Sequence, residues 1–290
     1  VSDPSSGGPD ETAPVPPPEF AEVVPSSEGG TLAAAMTLQL PPPEVQGLHT
    51  AALSASERRD AWLEVAVATC VGMLPPLYSA LVAHTGWRQD RAGSAWIGVS
   101  VNYLVHNLTV AAPILWIIHR SRPGWAYYGI VRLRALRDFL WGLAVLAMMF
   151  GLVWGTWGVM WVASFVPMVR DLLTLVPGAA ATSAGVIEAR NAPWPLFLIS
   201  MTITTSVEEL FTRAYLVPAL ARLWRSPWPA CGAAAAMMAS YHIYQGSYAV
   251  LVIFFSQWAL NGVFWRYRRI WPFMLAHACY DGLLFMSYRR

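Results

Sequence analysis

The sequence predicts an all-α fold, a polytopic transmembrane helix bundle of about seven or eight spans. Three observations predict it. Of 290 residues, 56% are hydrophobic and only 12% carry charge, about half of the roughly 25% found in soluble domains. The mean hydropathy is positive, at +0.43. The apolar residues also gather in runs of about 17 to 25, the length a helix needs to cross a hydrocarbon layer of about 30 Å.

Residues 1–45 stand apart from this pattern. They hold ten of the 22 prolines and seven acidic residues but no basic one, a composition that buries too little apolar surface to fold. A disordered tail is expected there. It lacks a basic stretch followed by an apolar core, so no cleaved signal peptide is expected, and the chain starts on Val1 rather than Met.

Spans are predicted near 62–84, 94–118, 139–166, 194–221, 228–245, 248–265 and 271–287. Residues 60–193 form an N-terminal set of helices, and 194–287 a separate C-terminal core. The stretch 167–190 reads as an interfacial helix with a loop, or as part of an eighth span. Trp62, Trp116, Trp194, Trp224, Trp228, Trp265 and Trp271 mark span ends, where aromatic rings favour the interface. With seven spans and the N-terminus inside, inner loops carry twelve arginines and outer loops six, which favours a cytoplasmic N-terminus.

The charge balance excludes some classes of function. A net +2, with all 19 basic residues arginine, gives no footprint for nucleic acid. Cys70, Cys231 and Cys279 lie inside apolar runs without disulfide or zinc spacing, so they read as packing residues.

Charge inside the spans carries the functional signal. The fourth predicted span contains "SVEELFTRAYL", with Glu208, Glu209 and Arg213. Each charge at a span centre costs about 2.5 to 3.5 kcal/mol on insertion scales, so each needs a partner or a task. Glu209 and Arg213 are four residues apart, a helical ion-pair spacing, which leaves Glu208 over. His242 follows near the end of the next predicted span, and His277 and Asp281 sit four apart in the last one. A carboxylate, two imidazoles and a further acid in a low-dielectric pocket suit water activation and stabilisation of an oxyanion. His106 with Asn102, and Gln257 with Asn261, read as interhelical packing contacts; His49, His84 and His119 carry no signal.

The ordered set E-E-x-x-x-R (Glu208, Glu209, Arg213), then His242, then H-x-x-x-D (His277, Asp281) resembles the CPBP family of intramembrane proteases, also called Abi, the type II CAAX prenyl endopeptidases. The resemblance covers 194–287. It implies peptide-bond hydrolysis with Glu208 as general base on a water that His242 helps hold. His277 and Asp281 would stabilise the tetrahedral intermediate, and Glu209 with Arg213 would form a supporting ion pair. Two positions depart from the family pattern: Met238 stands where Phe is common, and Asp281 where Asn often stands. No H-E-x-x-H occurs. A metal-free mechanism is favoured, with zinc or another divalent metal on Glu208, His242, His277 and Asp281 as the alternative. The expected partners are membrane lipid and a membrane-associated or C-terminally anchored protein substrate. The expected location is a bacterial inner membrane. The competing reading is a non-catalytic membrane binding or immunity protein on the same fold.

Overall fold

Ser54 opens the first helix with a capping box that the sequence spells as S-A-S-E. The Glu57 amide donates to Ser54 Oγ at 3.3 Å, and the Ser54 amide donates back to Glu57 Oε2 at 3.0 Å, so two otherwise orphaned amides are satisfied. The computed structural model describes residues 53–84, 96–121, 123–175 and 194–288. All of them belong to one compact unit, Met36–Arg290. The tail, His49, Arg88, Arg91, 176–190 and the side chains of His84, Asn102 and Trp194 lie outside the described residues.

Every described element is helical. The order is α1 (Ala55–His84), α2 (Trp96–Arg120), the short α3 (Gly124–Tyr127), α4 (Ala135–Ala163), α5 (Pro167–Leu173), α6 (Trp194–Glu209), a π-helical segment (Leu210–Leu216), α7 (Val217–Trp224), α8 (Pro227–Ser240), a 3-10 turn (Ile243–Gln245), α9 (Ser247–Tyr267) and α10 (Trp271–Tyr288). The chain is an α-helical membrane protein. Ala55–Tyr78, Ala135–Ala163 and Ser247–Tyr267 meet both the length and the hydropathy needed to cross a bilayer. Their outer faces are apolar too: Leu63, Val67, Trp154 and Val159 are more than half exposed. A water-soluble helix turns such residues inward, whereas a lipid-facing helix need not.

Three elements differ from the sequence reading. The predicted span 228–245 is a 14-residue helix ending at Ser240, too short to cross by itself at 1.5 Å per residue; its remainder turns through His242 into the 3-10 segment. The predicted span 194–221 is continuous but not uniformly α. Its middle widens into the π segment that carries Arg213, a form seen mostly as single turns near functional sites. In 167–190, the described part is only the short helix α5.

One end of the bundle is locked by backbone-directed contacts. Tyr127 donates to the Pro218 carbonyl at 3.1 Å, Trp271 Nε1 to the Val131 carbonyl at 2.7 Å and the Ile270 amide to the Gly129 carbonyl at 3.0 Å. Arg268 donates to the Tyr127 carbonyl, and its guanidinium lies 3.6 Å from the centre of the Trp265 ring. Asp138 takes two bonds of 2.8 Å from Arg269 and a third of 2.8 Å from the Arg134 amide at the start of α4, which suits a carboxylate at a helix N-terminus. These bonds fix where α10 enters the bundle, and so where His277 lies.

Glycine permits two close approaches. At Gly142 an added Cβ would sit 2.6 Å from Leu275 Cδ2, so α4 and α10 pack nearly backbone to side chain. Gly129 has φ +75°, and a Cβ there would meet the Phe264 ring at 2.8 Å. Gly129→Ala is therefore expected to lose about 1–2 kcal/mol from the left-handed backbone alone, with more from the clash, measured as a lower unfolding midpoint in detergent.

Candidate active site

The described site is assembled from α6, the π segment, the end of α8, α9 and α10. Its sealed layer is a chain of side chains around Arg213. Arg213 donates to the Glu209 carboxylate and to Gln257 Oε1 on α9. Its guanidinium lies 5.1 Å from the centre of the Phe273 ring on α10. The side chains of Arg213 and Glu209 are 2% and 0% exposed, so this ion pair is fully desolvated and depends on its partners.

Glu209 does more than pair with Arg213. Its Oε1 also lies 2.8 Å from His277 Nδ1. An anionic acceptor there assigns the Nδ1 proton and turns Nε2 toward the other carboxylates. His277 Nε2 is 3.8 Å from Glu208 Oε2 and 3.7 Å from Asp281 Oδ2, both beyond direct hydrogen-bond range. The sequence reading pairs His277 with Asp281, which faces Nε2 at 3.7 Å; the shorter contact of the ring, through Nδ1, is to Glu209.

Exposure separates the two adjacent glutamates. The Glu208 and Asp281 side chains are 27% and 28% exposed, while Glu209 is sealed. A 100° step around the helix thus divides one carboxylate that solvent reaches from one that it does not.

His242 lies at the end of α8. Its Nδ1 donates to the Met238 carbonyl at 2.9 Å, and its ring packs on Tyr241 with centroids 4.2 Å apart. The helix-end bond leaves Nε2 as the nitrogen available to a ligand. Glu208, His242, His277 and Asp281 therefore lie in one neighbourhood drawn from three helices.

Three contributors escaped the sequence reading. The Tyr241 hydroxyl, with one proton to give, lies near both Glu208 and Met238 Sδ, the latter at 2.9 Å; a tyrosine beside a histidine in an apolar run carries no spacing signal. Met238, expected to act in packing alone, also receives Thr212 Oγ1 at 3.6 Å. Gln257, expected as an interhelical packing contact, makes that contact with Arg213, and Asn261 donates to the Cys231 carbonyl at 3.0 Å. Asn107 bridges α2 to α6, donating to Thr204 Oγ1 at 3.0 Å.

Among the described residues, no three His, Cys, Asp or Glu side chains are arranged to hold an ion. His277 Nδ1 is committed to Glu209, and Nε2 stands 3.7–3.8 Å from its carboxylate neighbours. The residues as placed do not fit zinc coordination, which needs donors near 2 Å around a common point, and no chemical step is routed through a metal.

Tyr241→Phe removes the hydroxyl that serves Glu208 while keeping the ring. A hydrogen bond to a charged group contributes about 1.5–3 kcal/mol, so any turnover that depends on Glu208 is expected to fall about 10- to 100-fold with little change in unfolding midpoint. Unaltered turnover would place Tyr241 outside the site.

No curated protein and no solved structure matches the chain. Residues 190–283 match the family described as type II CAAX prenyl endopeptidase Rce1-like. That segment contains Glu208, Glu209, Arg213, His242, His277 and Asp281 together with Tyr241 and Gln257. That segment, the C-terminal third of this helical membrane protein, is similar to the Rce1-like type II CAAX prenyl endopeptidases.

Proposed function

We propose that the protein is an integral membrane endopeptidase in which Glu208 activates a water to hydrolyse a peptide bond of a membrane-associated protein. One observation carries the reading: a half-buried carboxylate faces His277 Nε2 at 3.8 Å, while the neighbouring carboxylate is consumed in fixing that same ring. A structural network has no need of the first once the second is paired.

In this mechanism Glu208 takes a proton as the water oxygen bonds to the scissile carbonyl carbon. The carbonyl electron pair moves onto oxygen, and His277 Nε2–H stabilises the oxyanion. His242 Nε2 holds the water. Collapse of the intermediate breaks the C–N bond, and the proton on Glu208 passes to the departing amine. Asp281 faces His277 Nε2 from the next turn and balances its charge. Glu209, Arg213 and Gln257 hold the ring without touching substrate. The chemistry proceeds without a metal, in a bacterial inner membrane with the N-terminus in the cytoplasm.

Proteoliposomes containing the whole chain and a prenylated CAAX-type peptide test this reading. A C-terminally trimmed product, identified by mass spectrometry and formed equally after treatment with metal chelators, is expected. Loss of activity in chelator, restored by one particular ion alone, would reverse the metal-free assignment. Stoichiometric retention of intact peptide without turnover would favour the binding or immunity protein. The cellular substrate is to be read from membrane proteins whose C-termini lengthen when Glu208→Gln replaces the native chain.

A further inference from the structure

We propose that Met238 is a positioning residue of the reaction: its thioether sulfur accepts the hydrogen bond of the Tyr241 hydroxyl while Glu208 holds the proton drawn from water, and yields that hydroxyl to the carboxylate when Glu208 is ionised. The inference rests on the reading of Glu208 as the base.

Met238 is buried in the last turn of α8, and both its backbone and its side chain are engaged. Its carbonyl receives His242 Nδ1 at 2.9 Å. Its sulfur receives the Tyr241 hydroxyl at 2.9 Å and, from the π segment, Thr212 Oγ1 at 3.6 Å. A methionine that only fills a gap in a core is replaceable by leucine, a volume-conserving exchange. Here two buried hydroxyls from different elements converge on the one atom of the side chain that accepts a hydrogen bond.

The Tyr241 hydroxyl also lies near Glu208. It has one proton to give, and its oxygen can accept another group's. An ionised carboxylate is acceptor-only and binds a donor about twice as strongly as a neutral partner does, so before the reaction Tyr241 turns its proton to Glu208. In the proposed hydrolysis Glu208 then takes a proton from the attacking water and becomes a donor itself. Two donors cannot face each other. Tyr241 receives the new O–H on its oxygen only by rotating its own away, and the sulfur at 2.9 Å is an acceptor within its reach. The phenol keeps its proton throughout. Only the direction of its hydrogen bond reverses, and the proton on Glu208 is the one that later passes to the departing amine.

With leucine at position 238 the side chain offers no acceptor. The hydroxyl goes on pointing at Glu208 and opposes the proton that the base has to carry. The loss falls on the step in which water is deprotonated, after substrate has bound, because Met238 itself does not touch substrate.

Four forms of the whole chain test the assignment: native, Met238→Leu, Tyr241→Phe and the two substitutions together. Each is assayed in proteoliposomes on a prenylated CAAX-type peptide, and its unfolding midpoint is measured in detergent. Met238→Leu is expected to lower kcat about three- to tenfold, the worth of one hydrogen bond between neutral groups, with KM close to native. Added to Tyr241→Phe it should change kcat by less than about twofold, because residues that act through one contact are not additive. A packing loss from leucine is present in both backgrounds and cancels in this comparison. Equal losses in the two backgrounds would overturn the inference and leave Met238 a packing residue. So would a native kcat in Met238→Leu, or a rise in KM without a fall in kcat. Peptide left intact by the native chain overturns the endopeptidase reading and this inference with it, whereas equal losses from an active native chain overturn the Met238 assignment alone.

Discussion

Glu208→Gln abolishes most peptide cleavage, by about 10²- to 10⁴-fold, the range general-base catalysis contributes, and leaves the fold intact. The substitution keeps the shape of the side chain and its capacity to accept a hydrogen bond from Tyr241, but it removes the basic oxygen. Glu208 is 27% exposed, and among the described residues its ion-pair partner is His277 Nε2 at 3.8 Å, so its neutralisation removes no short, buried salt bridge. The pair of measurements is turnover in proteoliposomes and unfolding midpoint in detergent. Near-native turnover by Glu208→Gln would remove it as the base. A large drop in midpoint would recast it as structural.

Arg213→Ala behaves in the opposite manner. It is expected to destabilise the protein by about 3–5 kcal/mol, because removing one member of a sealed ion pair leaves the other charge buried without compensation. Glu209 is 0% exposed, and only His277 remains to it. The double substitution Glu209→Met with Arg213→Met separates stability from activity. Replacing both charges by apolar side chains of similar length is often neutral or stabilising, so the unfolding midpoint should recover. Activity should not, since His277 Nδ1 loses its acceptor and the ring its orientation. A fully active double variant would make the 2.8 Å contact between His277 and Glu209 irrelevant to the chemistry.

The sequence reading and the structure agree on different things for different reasons. The seven apolar runs return as helices because membrane insertion depends on composition and length, and both are local. The capping box at Ser54 and Glu57 is just as local, although the sequence reading did not name it. Helix lengths were less legible. Pro227 opens α8 at the first helical position, as proline permits, but its end at Ser240 is followed by Tyr241, Ile243 and Tyr244 with no glycine or proline before Gly246, so the predicted span ran on to 245. The π segment at Leu210–Leu216 has no compositional mark at all.

At the candidate site the residue types were legible, because a charge or imidazole in an apolar run must be accounted for. Their pairings were not. Spacing of four correctly joined Glu209 to Arg213, yet it also joined His277 to Asp281, whereas the shorter contact of His277 runs to Glu209 across 68 positions. Gln257 and Tyr241 entered only through partners on other helices.

The sequence by itself determined that the chain is a helical membrane protein, and it marked the six side chains whose burial demands a purpose. Only the tertiary structure decided which carboxylate is sealed and which is open, and which nitrogen of His277 is engaged. The reason is geometric. Hydropathy and helical period fix what each helix is and which residues share its face, but a hydrogen bond between helices depends on their relative rotation and depth, which Gly142, Gly129 and the Asp138–Arg269 clasp set from far along the chain.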